Sequence, residues 1–204
     1  MEQSVKISPY GLAGDLIIPA PAIGVVLFAH GSGSSRHSPR NRYVAGVLHE
    51  GGFATLLLDL LTTSEEQVDR STGHLRFDIG LLGDRLLVAT DWLRYQPATR
   101  ALPIGFFGAS TGAGAALAAA AERPSMISAV VSRGGRPDLA GSALPHVQAP
   151  TLLIVGGNDD QVIELNRQAL AKLRCENQLS IVPGATHLFE EPGTLEQVSK
   201  LARD

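Results

Sequence analysis

The chain has 204 residues, 44% of them hydrophobic and 18% charged, and a formal net charge of −3. This is the composition of a soluble globular protein long enough to bury its own core in one domain, residues 1–204. With no basic excess and only 5% aromatic residues, it offers neither charge to neutralise a phosphate backbone nor faces for base stacking, so no nucleic-acid partner is expected.

The opening residues, Met1 to Lys6, lack the charged-then-apolar layout of a secretory signal. No apolar run approaches the ~20 residues that a membrane-spanning helix needs. The expectation is therefore a cytoplasmic protein without a membrane partner. Residues 5–7 and 15–18 flank Pro9-Tyr10-Gly11 and predict an antiparallel hairpin. Segments 23–29, 53–58, 104–108, 129–132, 151–155 and 179–182 are then nearly continuous apolar runs. Their lack of alternation suits parallel strands covered on both faces.

Helical patterns fill the intervals. Tyr43, Val44, Val47 and Leu48 share one face of a helix that Gly51-Gly52 ends. Residues 62–76 are polar and charged, with Ser64-x-x-Gln67 suggesting a short helix, and a segment of this length is a candidate pocket wall. Leu82, Leu86, Ala89 and Leu93 form a second stripe, and the small residues of 112–121 predict a helix lying close to the sheet. Ile163, Asn166, Leu170 and Leu173 form a third stripe. Leu195, Val198 and Leu201 form the last, opened by Thr194 with Gln197 as a capping box. Strands alternating with helices imply right-handed crossovers and an α/β fold with a mostly parallel central sheet, helices on both faces and no large cap domain.

Gly108-Ala109-Ser110-Thr111-Gly112 is a G-x-S-x-G motif placed between a predicted strand and the small-residue helix. In that context the serine sits on a sharp turn that lifts its hydroxyl above the sheet edge. The flanking glycines keep the turn uncrowded, and the helix directs its positive end at the site. A serine hydroxyl needs a base. Of the six histidines, His187 follows the last predicted strand, at the edge where open α/β sheets gather their chemistry. His37, His49, His74 and His146 have no such placement and read as structural.

The base in turn needs an acid to orient it and to stabilise its charged form. Asp159 and Asp160 both follow the strand at 151–155, and either serves the chain order serine, acid, histidine; Asp159 is the preferred assignment. Two donors for an oxyanion are expected from the backbone N–H of Thr111 and from the glycine-rich loop His30-Gly31-Ser32-Gly33-Ser34-Ser35, with Ser32 favoured.

On these four ordered motifs the chain resembles the dienelactone-hydrolase-related branch of the α/β-hydrolases. The motifs are the His30-Gly31 loop, Gly108 to Gly112, Gly157-Asn158-Asp159 and Gly184-Ala185-Thr186-His187, and the resemblance spans nearly the whole chain. It implies the α/β-hydrolase fold and hydrolysis of carboxylic esters through an acyl-enzyme. The enzymes that name the family carry cysteine at the elbow, where this chain has Ser110. Its single cysteine, Cys175, is expected within a late helix out of reach.

Other chemistries find less support. Gly108 to Gly114 has no following Lys-[ST], so it is no P-loop, and no His-x-x-x-His or clustered ligand set suggests a metal. No cofactor is expected. Gly33, Arg133 and Arg136 are candidate substrate contacts, although the two arginines read more readily as braces, for example against Asp138. Asp59 reads as structural. A thioesterase and a non-catalytic ligand-binding module of the same fold are the alternatives. The expected partner is a small ester; oligomeric state is not legible.

Overall fold

The computed structural model describes residues 2–204. Its strands are β1 (Glu2–Ile7), β2 (Leu12–Ile17), β3 (Gly24–Ala29), β4 (Phe53–Leu58), β5 (Ile104–Ala109), β6 (Ile127–Arg133), β7 (Thr151–Gly156) and β8 (Asn177–Val182). They form one 8-stranded sheet in the order β1-β2-β4-β3-β5-β6-β7-β8. The strands pair parallel from β4 onward across the sheet, while β1 pairs antiparallel with β2 and β2 with β4. The hairpin and all six apolar runs are thus strands.

Six α-helices connect them: α1 (Pro39–Glu50), α2 (Thr63–Thr72), α3 (Ile79–Tyr95), α4 (Thr111–Glu122), α5 (Asp160–Leu170) and α6 (Thr194–Arg203). Shorter 3₁₀ turns occupy Leu75–Phe77 and, in two pieces broken at Gly141, Pro137–His146. Successive residues along a strand point to opposite faces, and both faces here are apolar. Leu27, Leu56 and Phe106 pack into the layer that holds Leu82, Leu86 and the alanines of α4. Phe28, Leu57 and Phe107 pack into the layer of Val44 and Leu48 from α1 and Val198 from α6. Two covered faces explain why these strands carry no polar alternation.

Where local detail departs from expectation, packing decides. In α1 the buried stripe is Asn41, Val44, Ala45 and Leu48, while Tyr43 is exposed, because the helix turns its small face to the sheet. At α6 no capping box forms. Gly193 is the N-cap with φ of 82°, Thr194 is the first helical residue, and its hydroxyl donates backwards to Glu191 O at 2.7 Å. A reciprocal box occurs instead at α2, two residues before the Ser64-x-x-Gln67 that suggested a short helix there. Glu65 N–H donates to Thr62 Oγ1 at 3.2 Å, and Thr62 N–H donates to Glu65 Oε2 at 2.7 Å. Cys175 lies between α5 and β8 rather than in a helix, with its thiol 3.7 Å from Thr151 Oγ1 at the start of β7. That is the opposite end of the sheet from Ser110.

Among the described residues no helix is long and apolar enough to cross a membrane.

Candidate active site

Ser110 ends the strand β5 and begins α4 in a backbone conformation that L residues rarely adopt, φ 50° and ψ −122°. Such strain persists only where the surroundings over-determine it, and here two glycines show how. A Cβ on Gly108 would stand 2.4 Å from Ala113 Cα, and one on Gly112 would stand 2.3 Å from Ala29 O and 2.5 Å from His30 O. The elbow therefore presses directly against the end of β3, and no side chain fits at either contact.

The crowding yields a stability prediction. The Gly112→Ala collision is with backbone carbonyls, which cannot swing aside as a side chain would. Its cost is expected at or above the upper end of ordinary overpacking, about 3 kcal/mol. Denaturant unfolding would register a lower midpoint with an unchanged slope, and an unchanged midpoint would contradict the contact.

The loop after β3 is fixed from below. His30 is buried; Leu60 N–H donates to its Nε2 at 3.2 Å, which leaves the proton on Nδ1, 2.9 Å from Gly31 O. Burial, the main cause, holds the His30 imidazole below its ordinary pKa against weaker opposing effects of Gly31, Asp59 and Glu66. Burial also lowers that of His49, whose Nε2 lies 2.7 Å from Thr55 Oγ1. For both groups the unfolded chain takes up a proton more readily than the folded one. Their contribution is therefore neutral above the ordinary imidazole range and becomes destabilising as pH falls through roughly 6.5. Thermal melts should show Tm declining from pH 7.5 to 5.5, above the range where carboxylates titrate, and His30→Asn should flatten that decline. A flat wild-type profile over this interval would refute it.

Farther along the same loop, Arg36 N–H donates to Asp59 Oδ1 at 2.7 Å and its guanidinium pairs with the same carboxylate. Asp59 is structural, as expected. Asp15 of β2 joins the cluster through Arg36 at 3.5 Å and Arg42 at 3.0 Å.

The loops that carry Asp159 and His187 are laced together. Gly157 N–H donates to Val182 O at 2.8 Å and Asn158 N–H to Ala185 O at 2.9 Å. A Cβ on Gly156 would stand 2.5 Å from Ala185 O, so only glycine permits this approach. The result is a hydrogen bond of 2.7 Å between His187 Nδ1 and Asp159 Oδ2. Asp159 occupies the N-cap of α5 yet makes no capping bond with its side chain, because the carboxylate is turned to the histidine. Asp160 is the first residue of the helix and is exposed, where its charge complements the helix dipole.

His187 reaches the neighbourhood of Ser110 through the turn after β6. Ser110 N–H donates to Arg133 O at 3.3 Å, and a Cβ on Gly134 would lie 3.7 Å from His187 Cε1. The imidazole is 40% exposed and Asp159 only 16%, so the carboxylate is sheltered while the ring remains open to solvent. With Nδ1 turned to Asp159, the ring's Nε2 is left free to accept a proton. Its loop is braced by Thr186, whose N–H and hydroxyl donate to the two oxygens of Glu191 at 3.1 and 2.6 Å. The same bonds hold the Glu191 carboxyl below the usual carboxylate range. Phe189, buried with φ of 55°, pins the other side. Neither Glu191 nor Phe189 had any signature in the sequence, since each acts through a contact that only the folded loop creates.

The two candidate arginines diverge. Arg136 forks onto Asp138 with both bonds at 2.8 Å, the expected brace. Arg133, the last residue of β6, is buried and has no carboxylate partner among the described residues; it donates to Asn41 Oδ1 at 3.3 Å and lies 6.0 Å from the Phe189 ring centroid. Burial, reinforced by Arg40, pushes its pKa down to about 10, which leaves it charged at neutral pH. Of the remaining histidines, His74 and His146 bond to Thr72 and Ser142 of their own turns. His37 sits beside Asp15 and Arg42.

Ser32 N–H points at Thr111 Oγ1, 2.9 Å away. Gly33, Ser34 and Ser35 open onto a cavity of about 540 Å³ whose far wall is Glu66, Asp69 and Arg70 of α2 together with Arg76. The 62–76 segment therefore does wall a pocket, and it is held in shape by Asp69, which accepts from Leu75 N–H at 2.7 Å and Arg76 Nε at 2.6 Å. A larger apolar cavity of about 680 Å³ opens at the opposite ends of the strands, beside Gly24, Pro103 and Pro150, and shares no residue with this site. Among the described residues no group of three His, Cys, Asp or Glu side chains stands where it could hold a metal ion.

The strand order, with one antiparallel strand near the edge and a strained residue at the turn after the central β5, defines the α/β-hydrolase fold. A model of the dienelactone hydrolase family matches residues 13–203, and the chain belongs to that family. A dienelactone hydrolase from Anabaena variabilis is similar along its whole length, with 63% identity, a TM-score of 0.96, and coverage of 100% of this chain and 94% of that one. A Xanthomonas campestris protein described as an α/β serine hydrolase without lid shares the fold at 22% identity and a TM-score of 0.72, over 98% of this chain and 90% of its own. Two Mycobacterium tuberculosis proteins, from different strains, carry the provisional name of phosphoribosyl transferase and are 62% identical over 203 residues. The match takes in 100% of this chain but 45% of those proteins, so the chain spans about half the length of the curated relatives it matches.

Proposed function

We propose that the protein is a serine hydrolase acting on small carboxylic esters or lactones through an acyl-enzyme, with Ser110 as nucleophile, His187 as base and Asp159 as the acid that orients it. The observation that carries this reading is the 2.7 Å bond between His187 Nδ1 and a sheltered Asp159, because it fixes the tautomer whose Nε2 accepts a proton.

In the proposed cycle His187 Nε2 takes the Ser110 hydroxyl proton as Oγ attacks the ester carbonyl. The tetrahedral oxyanion is held by donors at the elbow, where Thr111 meets the loop at Ser32. Collapse breaks the bond to the leaving oxygen, which receives the proton from His187 Nε2. A water molecule then gives a proton to the same nitrogen, attacks the acyl-enzyme and releases the acid, restoring Ser110. The loop that carries Ser32 continues into a polar and charged cavity beside Gly33 whose lining includes none of Ser110, Asp159 and His187; a compact polar substrate group extending from the elbow along that loop would meet it. Arg133 would add attraction for an anionic group, and Arg136 serves its loop through Asp138.

The name given to the mycobacterial relatives belongs to proteins of which more than half lies outside this match, and the His187–Asp159 pair near the elbow supports acyl transfer here. The deciding measurement is hydrolysis of p-nitrophenyl esters of graded acyl length, with thioesters and lactones alongside, combined with labelling by a fluorophosphonate. Turnover highest for the short acyl groups is expected. A folded protein inert to the whole panel and unlabelled would favour the non-catalytic binding module.

A further inference from the structure

The donor that completes the oxyanion hole is assigned differently by the geometry than by the motif. The loop amide expected to serve as donor, Ser32 N–H, is already spent on Thr111 Oγ1 at 2.9 Å. Thr111 is buried, 3% exposed, and is the first residue of α4. Its own N–H is thus one of those that a helix leaves without an intrahelical acceptor.

A hydroxyl has one hydrogen and two lone pairs. With a lone pair of Thr111 Oγ1 occupied by Ser32 N–H, the hydroxyl hydrogen remains free, since Oγ1 donates to no other group among the described residues. The contact is held in place from both sides. A Cβ on Gly31 would meet Ser110 Cβ at 3.0 Å, and one on Gly112 would meet the carbonyls of Ala29 and His30 at 2.3 and 2.5 Å. Loop and elbow are locked at the distance that this hydrogen bond needs.

We propose that Thr111 supplies two oxyanion donors, its backbone N–H and its side-chain O–H, and that Ser32 N–H acts through the hydroxyl. The N–H and O–H of one residue are close enough to converge on a single oxygen. Donation from Ser32 into Oγ1 polarises the hydroxyl and strengthens what it gives. The inference rests on the hydrolase reading above and goes beyond it, because the motif singles out only the backbone of the residue after the nucleophile.

Two substitutions separate this arrangement from a hole in which Ser32 donates directly. Thr111→Val keeps the shape, removes the hydroxyl and frees the Ser32 amide. Replacing Ser32 by its α-hydroxy acid counterpart turns the amide N–H into an ester oxygen and adds no atom at the 2.9 Å contact with Thr111 Oγ1. If Thr111 O–H is the donor, Thr111→Val lowers kcat on a p-nitrophenyl ester about 10²-fold with little change in KM. Thr111→Ser restores most of the rate, affinity for an alkylboronic acid falls in parallel with kcat/KM, and the Ser32 ester costs less than Thr111→Val. The opposite ranking, with Thr111→Val at the wild-type rate and the Ser32 ester slow, overturns the assignment while leaving the hydrolase reading intact. If Thr111→Val proves unstable, the loss in the Ser32 ester decides alone: one as large as a full donor removes Thr111 O–H from the role. A wild type that neither turns over nor reacts with a fluorophosphonate overturns the parent reading instead, and this one with it.

Discussion

Ser110→Ala is expected to abolish hydrolysis of short p-nitrophenyl esters, with kcat falling by on the order of 10⁶-fold if chemistry limits the wild type. The residue sits at φ 50° in an elbow whose glycines admit no Cβ. Removing its Oγ alters nothing in the packing: the residue makes no side-chain capping bond, and alanine keeps the Cβ that rests on Gly31. The variant should therefore melt within a degree or two of the wild type while losing fluorophosphonate labelling completely. That pairing of lost chemistry with retained stability separates a nucleophile from a structural serine. Labelling that persists in Ser110→Ala would locate the nucleophile elsewhere and remove the foundation of the proposed cycle.

The second large effect concerns the two aspartates. Asp159→Asn should lower kcat by roughly 10⁴-fold, the scale seen when a triad acid is replaced by an amide that imposes the wrong imidazole tautomer. Asp160→Asn should stay within a few-fold. The contrast follows from side-chain direction: Asp159 forgoes the helix cap and bonds His187 at 2.7 Å, whereas Asp160 is exposed on the first turn of α5. For Asp160 the expected consequence is loss of a helix-dipole interaction, about 0.3–1 kcal/mol, read as a slightly lower Tm. Equal kinetic losses at the two positions would mean that the loop as a whole, rather than one carboxylate, orients the base.

Much of this arrangement was legible before any coordinates. The apolar runs at 53–58, 104–108 and 151–155 coincide with β4, β5 and β7 to within a residue, because a strand covered on both faces must be apolar along its length. The helix stripe at Leu82, Leu86, Ala89 and Leu93 is buried throughout for the analogous reason on one face. Errors fell where two local solutions compete. Thr194-x-x-Gln197 has the letters of a capping box, but Gly193 takes the left-handed cap and turns the threonine back toward Glu191. Thr62 and Glu65 form the box that the letters at Ser64 and Gln67 obscured.

The sequence by itself determined the alternation of strand and helix, the family resemblance that the match over residues 13–203 bears out, and the serine at the elbow. These depend on short-range patterns: a two-sided apolar run, a stripe every three or four residues, and glycines on either side of a turn that must be sharp. Only the tertiary structure decided which aspartate turns to His187, that Arg133 is buried and donates to Asn41, and that Ser32 N–H donates to Thr111 Oγ1. Those outcomes join residues 28, 92 and 79 positions apart. They depend on how closely separate strand ends approach, and glycines where an added Cβ would stand only 2.3 to 2.5 Å from a facing carbonyl oxygen set that distance in three dimensions.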